Sequence, residues 1–309
     1  MYHISASKII SMELIEEIKR MFRNGNIIIK LIFINVAVFV VINILGLFSF
    51  LFGLSGSDGI IRWLAVPADL HVLLYRPWTL FTYMFLHQGF LHILFNMLWL
   101  FWFGKIFLEF LNPKQMLSVY LLGGISGAAL YILAFNVFPV FKPMLPLSVA
   151  LGASASVYAI VVAISAFVPE YSIGLMFIGR VKIKWVATFV ILLDVLSIAD
   201  GNAGGHIAHI GGALFGYLFA VQIKKQADIT RGFTNFTDGL TEWFKPKPKM
   251  RVTENKFKAK KPTTDREYNQ QKAASQEEID KILEKISKTG YDSLSKKEKE
   301  TLFKFSNKK

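Results

Sequence analysis

Residues 201–223 read GNAGGHIAHIGGALFGYLFAVQI, an uncharged stretch long enough to cross a lipid bilayer. A spanning helix needs about 20 mostly apolar residues, because the hydrocarbon core is about 30 Å thick. Similar stretches recur upstream, and one of them is interrupted only by Asp194. The chain is therefore predicted to be an all-α polytopic membrane protein. Its six predicted transmembrane helices lie near residues 28–52, 85–108, 115–137, 150–168, 183–199 and 205–223.

The composition of the 309-residue chain agrees with a membrane protein. It is 53% hydrophobic and 18% charged, with a mean hydropathy of +0.42, whereas soluble domains carry about 25% charged residues. The absence of cysteine excludes disulfides, a thiol nucleophile and cysteine-bound zinc. The net charge of +13 is uneven, since residues 224–309 hold 22 Lys and Arg against 13 Asp and Glu. The basicity thus belongs to a polar tail, and no nucleic-acid partner is predicted.

Changes in composition divide the chain into four parts. Residues 1–26 are predicted to be a cytoplasmic amphipathic segment, and residues 27–223 a membrane domain. Residues 224–275 are basic and polar, which predicts a disordered linker. Apolar residues return at helical spacing in residues 276–309, which predicts a small cytoplasmic helical module. It is too short for a core of its own, so a protein partner or self-association is expected.

Loop charges predict the orientation in the membrane. Lys and Arg collect on the cytoplasmic side, and here they precede the first predicted helix, fill residues 180–184 and follow the sixth helix. Both termini are therefore predicted to be cytoplasmic. Residues 53–84 form the first outer loop, whose Trp and Leu side chains would be costly in water. We expect this loop to be membrane-associated and partly helical, because backbone groups in lipid need internal partners.

Polar side chains inside the predicted membrane helices mark the candidate site, since such groups are costly in lipid and are often functional. His92 and Asn96 are four residues apart and share one face of the second helix. The fourth helix begins with GASASVY at residues 152–158, and the sixth contains His206 and His209. Taken singly, a serine in such a helix usually bonds its own backbone.

The glycines in these predicted helices also indicate close packing between helices. A Gly-x-x-x-Gly pattern such as Gly212–Gly216 most often marks close packing between membrane helices. Together with Gly152, these glycines would let the fourth and sixth helices approach closely. Such an approach is what a direct hydrogen bond between Ser154 and a histidine requires.

Over about residues 30–223 these motifs resemble the rhomboid family of intramembrane serine proteases. The resemblance implies a six-transmembrane-helix rhomboid-like bundle. The tail from Gln276 resembles a small module appended to some bacterial rhomboids, which implies a bacterial inner membrane. The matching motifs are His87-x4-His92-x3-Asn96, Gly152-x-Ser154 with Tyr158, His209-Ile210-Gly211-Gly212-x3-Gly216, Arg76-Pro77-Trp78 and Glu109.

The resemblance implies that Ser154 is the nucleophile and His209 the general base. An adjacent base suits this chemistry, because a serine hydroxyl is inert without one. An oxyanion hole is implied at His92, Asn96 and the backbone N–H of Ser154. The remaining assignments are cavity lining by His206, His87 and Tyr158, and helix packing by Gly152, Gly212 and Gly216.

Several of these choices have competing neighbours in the sequence. Ser156 competes with Ser154, but Tyr158 four residues after Ser154 sets the register. His206 competes with His209, but only His209 stands three residues before Gly212. Two further features concern the chemistry directly. Asp194 is a candidate third triad member by residue type, but its helix is not where the family keeps catalytic groups, so a Ser–His dyad is predicted. Ala155 stands where the family usually has glycine.

The predicted function is a serine endopeptidase that cuts transmembrane segments of membrane proteins near the outer face, through an acyl-enzyme. The alternative is a catalytically inactive rhomboid-like protein that binds membrane-protein clients, which the presence of both Ser154 and His209 disfavours. A transporter is disfavoured because the spans show no inverted repeat. No cofactor and no metal are predicted, because the histidines have no carboxylate or thiol at ligand spacing in the sequence.

Overall fold

The computed structural model describes residues 25–53, 58–175, 179–244 and 265–306. The chain divides into two compact units, Met1–Lys245 and Pro246–Lys309. The predicted amphipathic segment of residues 1–26 lies almost entirely outside the described residues.

The first unit is mainly helical. Its helices are, in chain order, α1 (Ile27–Leu51), α2 (Asp58–Leu64), α3 (Leu70–Tyr75), α4 (Thr79–Thr82), α5 (Phe90–Phe110), α6 (Pro113–Val137), α7 (Ser154–Phe167), α8 (Ile183–Leu196), α9 (Ala203–Lys224) and α10 (Arg231–Phe244). Two antiparallel strand pairs accompany them, β1 (Val66–Pro67) with β2 (Val149–Ala150), and β3 (Ser172–Leu175) with β4 (Gly179–Lys182). Short 3-10 turns cover Tyr83–Phe85 and Pro139–Met144.

Within the described ranges, four helices are long and apolar enough to cross a membrane: α1, α5, α6 and α9. The chain is thus a multi-pass integral membrane protein built as a helical bundle. Helices also occupy the other two predicted spans, but α7 and α8 have only 14 residues each. A straight span needs about 20 residues, so length alone does not identify these two as spans.

Local sequence explains where two of the long helices begin. At the start of α6 the Asn112 side chain accepts from the backbone N–H of Gln115 (2.9 Å), and the Gln115 side chain accepts from the N–H of Asn112 (3.1 Å). Pro113, which follows, suits the first helical position because it lacks an N–H group. Helix α9 begins where the Asn202 side chain accepts from the N–H of Gly205.

Small residues let α6, α7 and α9 pack tightly against one another. A Cβ atom added at Gly212 or Gly216 of α9 would overlap the carbonyl oxygen of Ala155 or Ala159 on α7. On the opposite side, a Cβ atom added at Gly123 of α6 would overlap the methyl group of Ala159. Because glycine has no Cβ atom, the backbones of the three helices can approach one another closely, as is typical of membrane-helix interfaces built from small residues.

Residues 58–84, which precede α5, form short helices and an aromatic cluster. The rings of Trp63 and Trp78 stack at 5.2 Å between centroids, and the Trp78 indole N–H donates to the carbonyl oxygen of Trp63 at 3.0 Å. The Arg76 guanidinium lies 5.2 Å above the Trp63 ring.

The predicted disordered linker of residues 224–275 is wrong at both ends. Residues 231–244 form α10, and a helix of the second unit begins at Asp265. Polar contacts hold the start of α10 against α6, since Gln115 donates to the Asp228 carboxylate (2.8 Å) and the Ser118 and Thr234 hydroxyls lie 3.1 Å apart. These partners are distant in the sequence, which is why polar composition alone suggested disorder. Residues 245–264 lie outside the described part of the chain.

The second unit contains α11 (Asp265–Thr289) and α12 (Lys296–Ser306). Ile279, Ile282 and Leu294 are buried within it. The ammonium group of Lys285 on α11 lies 2.9 Å from the Glu298 carboxylate on α12, and this contact lowers the pKa of Glu298 to about 2. The helices therefore begin earlier than the module predicted from residue 276.

Candidate active site

A cavity of about 370 Å³ opens among α5, α7 and α9. It is lined by Leu91, His92, Phe95, Asn96, Trp99, Ser154, Val157, Tyr158 and His209. Three separate helices thus bring the predicted nucleophile, the predicted base and the two side chains of the predicted oxyanion hole to one space.

Ser154 is the first residue of α7, and the local backbone brings it to the cavity. Gly152 has a φ of +132°, a conformation that side chains other than glycine rarely adopt. Its N–H donates to the carbonyl oxygen of Tyr83 at 2.9 Å. The first N–H groups of a helix have no partners inside the helix, so Ser154 lies where negative charge is favoured.

Ser156 points away from the cavity. Its side chain is fully buried, and a Cβ atom added at Gly124 of α6 would lie 2.6 Å from its hydroxyl oxygen. Two residues along a helix differ in direction by about 200°, since a turn holds 3.6 residues. The register of α7 therefore separates Ser154, which lines the cavity, from Ser156, which packs on α6.

Ala155 also faces α6. It is 1% exposed, and a Cβ atom added at Gly127 of α6 would lie 2.6 Å from its methyl group. The extra carbon at this position is therefore accommodated by the missing side chain of Gly127. The methyl group does not narrow the cavity beside Ser154.

His209 is held by two neighbours. Its ring stacks on the Tyr158 ring with centroids 4.5 Å apart and planes inclined by 18°. Its Nδ1 lies 3.0 Å from Oδ1 of Asp194 on α8. In the part of the chain that the structure describes, no hydrogen bond joins Ser154 to His209. Catalytic hydrogen bonds are often long before substrate binds, so the shared cavity is the relevant observation.

Asp194 is the residue that sequence reasoning set aside. It is 5% exposed, and the same oxygen that faces His209 lies 2.5 Å from Nδ1 of His206. The prediction that the histidines have no carboxylate companion is therefore wrong. The partners lie 12 and 15 residues apart on two different helices, so sequence spacing could not connect them. The signal in the sequence that could have identified this contact was Asp194 itself, a single acidic residue in an otherwise apolar part of a predicted membrane helix.

This cluster is also the group that could hold a metal in the described residues. One ligand atom each from Asp194, His206 and His209 lies within 4.8 Å of the others. Two imidazoles and one carboxylate are donors that Zn²⁺ accepts. Both Nδ1 atoms are already directed at the carboxylate, so hydrogen bonding accounts for the arrangement without an ion.

Two histidines predicted to line the cavity do not border it. His206 contacts Asp194 instead, as described above. His87 is 4% exposed and lies behind His92, with the two rings 5.1 Å apart in an edge-to-face arrangement. Tyr158, which was also predicted to line the cavity, does so.

His92 and Asn96 lie on the cavity face of α5. A Cβ atom added at Gly152 would lie 3.2 Å from Nε2 of His92 and 3.3 Å from Oγ of Ser154, so both side chains meet at Gly152. The Asn96 amide donates to the carbonyl oxygen of His92 at 2.9 Å. Within the described ranges this is the one hydrogen bond that the Asn96 amide makes, so its second N–H is available to a substrate oxygen.

The structure is thus a helical membrane bundle in which a serine and a histidine face one cavity. Residues 75–226 match the family model of the Rhomboid domain, and residues 262–308 match a family of unknown function, DUF6576. The first of these matches assigns residues 75–226 to the Rhomboid domain family.

Individual relatives agree with this assignment. The chain is 29% identical to RHOMBOID-like protein 12, mitochondrial, of Arabidopsis thaliana over 48% of this chain and 47% of the relative. It is 29% identical to Presenilin-associated rhomboid-like protein A, mitochondrial, of Danio rerio over 43% and 34%. It is 25% identical to Rhomboid protease GlpG of Pectobacterium atrosepticum over 63% and 62%. The chain thus spans between about a third and two thirds of the lengths of these relatives.

Proposed function

We propose that this protein is an intramembrane serine endopeptidase that cleaves transmembrane segments of other membrane proteins. The single observation that carries the proposal is the cavity in which Ser154, at the start of α7, faces the same space as His209 of α9. The named relative Rhomboid protease GlpG supports a protease function. The substrates are membrane proteins, and the bilayer is the medium in which enzyme and substrate meet.

The proposed chemistry follows from these side chains. The hydroxyl oxygen of Ser154 attacks the carbonyl carbon of the substrate while Nε2 of His209 takes the hydroxyl proton. The imidazolium then returns this proton to the leaving nitrogen, and the peptide C–N bond breaks to leave an acyl-enzyme. Water, activated by His209 in the same way, cleaves the ester and restores Ser154.

We propose that the cavity opens towards the outer face of a bacterial inner membrane, with both termini cytoplasmic. Helices α1, α5, α6, α7, α8 and α9 form the six spans, and the short length of α7 lets Ser154 lie below the membrane surface at a depth that water can still reach. The first outer loop, with the Trp63–Trp78 stack, rests in the outer leaflet, where tryptophan is enriched. The second unit engages a protein partner.

Fluorophosphonate labelling tests the proposed nucleophile directly. Purified protein in detergent is expected to be labelled at Ser154, because only an activated serine reacts with the probe, and peptide mass spectrometry locates the adduct. The Ser154→Ala variant should lose the label. The Ser156→Ala variant is the matched control, since it removes a hydroxyl two residues away, and should label like the wild type. A folded protein without any labelled serine would instead support the inactive, client-binding alternative.

Asn96→Ala is expected to lower kcat by about 10²–10³-fold with little change in KM, because one oxyanion donor typically contributes that much in the transition state. The measurement is steady-state cleavage of a reconstituted transmembrane substrate. Asn43→Ala is the matched control, since the Asn43 amide on α1 makes the same bond to the carbonyl four residues earlier, at 2.8 Å, away from the cavity. Equal kcat values for the two variants would remove Asn96 from the oxyanion hole.

A further inference from the structure

Asp194 is a buried acid whose position needs an explanation. It is 5% exposed on α8, in a helix otherwise made of apolar residues apart from Lys184 and Thr188. An ionised carboxylate away from water is costly unless it is paired by hydrogen bonds. One oxygen, Oδ1, lies within hydrogen-bond distance of both His206 and His209, and the Tyr158 hydroxyl also faces this carboxylate.

The contact with His209 determines which ring nitrogen carries the proton. A carboxylate oxygen is an acceptor only, so Nδ1 of His209, 3.0 Å away, must be the donor. In the neutral ring the proton on Nδ1 leaves Nε2 with a free electron pair. That is the form that can take a proton from a serine. The Tyr158 ring, stacked 4.5 Å away, fixes the tilt of the same imidazole.

The contact with His206 fixes the position of the Asp194 carboxylate. Nδ1 of His206 lies 2.5 Å from the oxygen that faces His209, and the two imidazole rings are nearly perpendicular at 6.0 Å. The carboxylate is therefore held from the α9 side by two donors one turn apart. The second oxygen, Oδ2, is buried and has no partner within the described residues.

We propose that Asp194 is a positioning residue for the proposed protease, which orients His209 and holds its neutral ring in the tautomer with the proton on Nδ1, so that the electron pair of Nε2 is available to Ser154. This role extends the proposed Ser–His dyad to a Ser–His–Asp arrangement and rests on the proposed function. A purely structural role is the competing explanation, in which the two histidine contacts only hold α8 against α9.

The test compares variants in one reconstituted cleavage assay. Asp194→Asn keeps the size of the side chain but can donate to Nδ1, which favours the wrong tautomer. Its kcat should fall by about 10²–10⁴-fold while KM and the midpoint of thermal unfolding change little, as in serine proteases where this exchange has been made. Asp194→Glu retains an acceptor carboxylate. Its kcat should therefore be at least about 10-fold higher than that of Asp194→Asn.

His206→Ala separates positioning from structure. It breaks the shorter of the two contacts between α8 and α9 but leaves the bond between Asp194 and His209, so its loss in kcat should be much smaller than that of Asp194→Asn. A proton NMR signal far downfield, from the Nδ1–H of His209, should be present in wild type and His206→Ala and absent in Asp194→Asn.

Two results would overturn the positioning role while the proposed function stands. One is an active wild type beside an equally active Asp194→Asn. The other is a fall in kcat of the same size in Asp194→Asn and His206→Ala, matched by lower unfolding midpoints. A wild type that neither cleaves substrate nor reacts with a fluorophosphonate would overturn the proposed function and the positioning role together.

Discussion

Replacing Ser154 with alanine is expected to slow cleavage of a transmembrane substrate by at least about 10⁴-fold, because the covalent route through the acyl-enzyme is lost. His209→Ala should cost about as much, and the double variant little more, since the two residues act as one unit. The measurement is product formation by purified protein in liposomes, with the unfolding midpoint recorded for each variant to confirm that it is folded.

The neighbouring serine provides the control for this result. Ser156 is fully buried with its hydroxyl unpartnered among the described residues, so its removal leaves no orphaned partner. Ser156→Ala is expected to cleave at near the wild-type rate. Activity that survives in Ser154→Ala and disappears in Ser156→Ala would mean that α7 presents the opposite face to the cavity, and the proposed site would be wrong.

Gly212→Ala is expected to have the largest effect on stability, with a loss of about 1–3 kcal/mol in the free energy of unfolding. The added Cβ atom would overlap the carbonyl oxygen of Ala155. Because this oxygen belongs to the backbone, no side-chain rotation can relieve the overlap. Helix α9 must then move away from α7, which carries His209 away from Ser154. Unfolding in mixed micelles measures the first effect, and the cleavage assay measures the second.

Gly239→Ala provides the same substitution in a helix without the contact. Among the described residues, no atom lies within 4 Å of a Cβ atom built at Gly239 of α10. Alanine is favoured over glycine within a helix by about 1 kcal/mol, so this variant should be slightly more stable than the wild type. If Gly212→Ala unfolded at the wild-type midpoint, the close approach of α7 and α9 would not be what holds the site together.

The pairing of Ala155 with Gly127 accounts for the departure from the usual family pattern. Rhomboids usually have glycine after the nucleophile, so the methyl group of an alanine at this position needs space that the glycine does not. In this chain the space lies on α6, where Gly127 lacks the side chain that would meet the Ala155 methyl group. The residue that compensates is 28 positions away in the sequence and cannot be identified from the motif.

Much of the fold was predictable because each membrane helix corresponds to one continuous apolar segment of the sequence. Each predicted span contains a helix, and the bounds of α1 and α6 differ from the predictions by no more than two residues. The predicted linker failed at α10, where polar partners on α6 stabilise a helix that composition did not suggest. Local hydropathy measures transfer into lipid, and it carries no information on polar contacts between distant segments.

The sequence by itself determined the apolar segments, the faces that carry His92 with Asn96, and the motifs around Ser154 and His209. Only the tertiary structure decided that Ser156 and Ala155 face α6, that His206 meets Asp194 rather than the cavity, and that Asp194 reaches His209. The physical reason is geometric. Position along one helix follows from counting residues, whereas contact between helices depends on their relative rotation and distance, which small residues such as Gly212 set only when the bundle has packed.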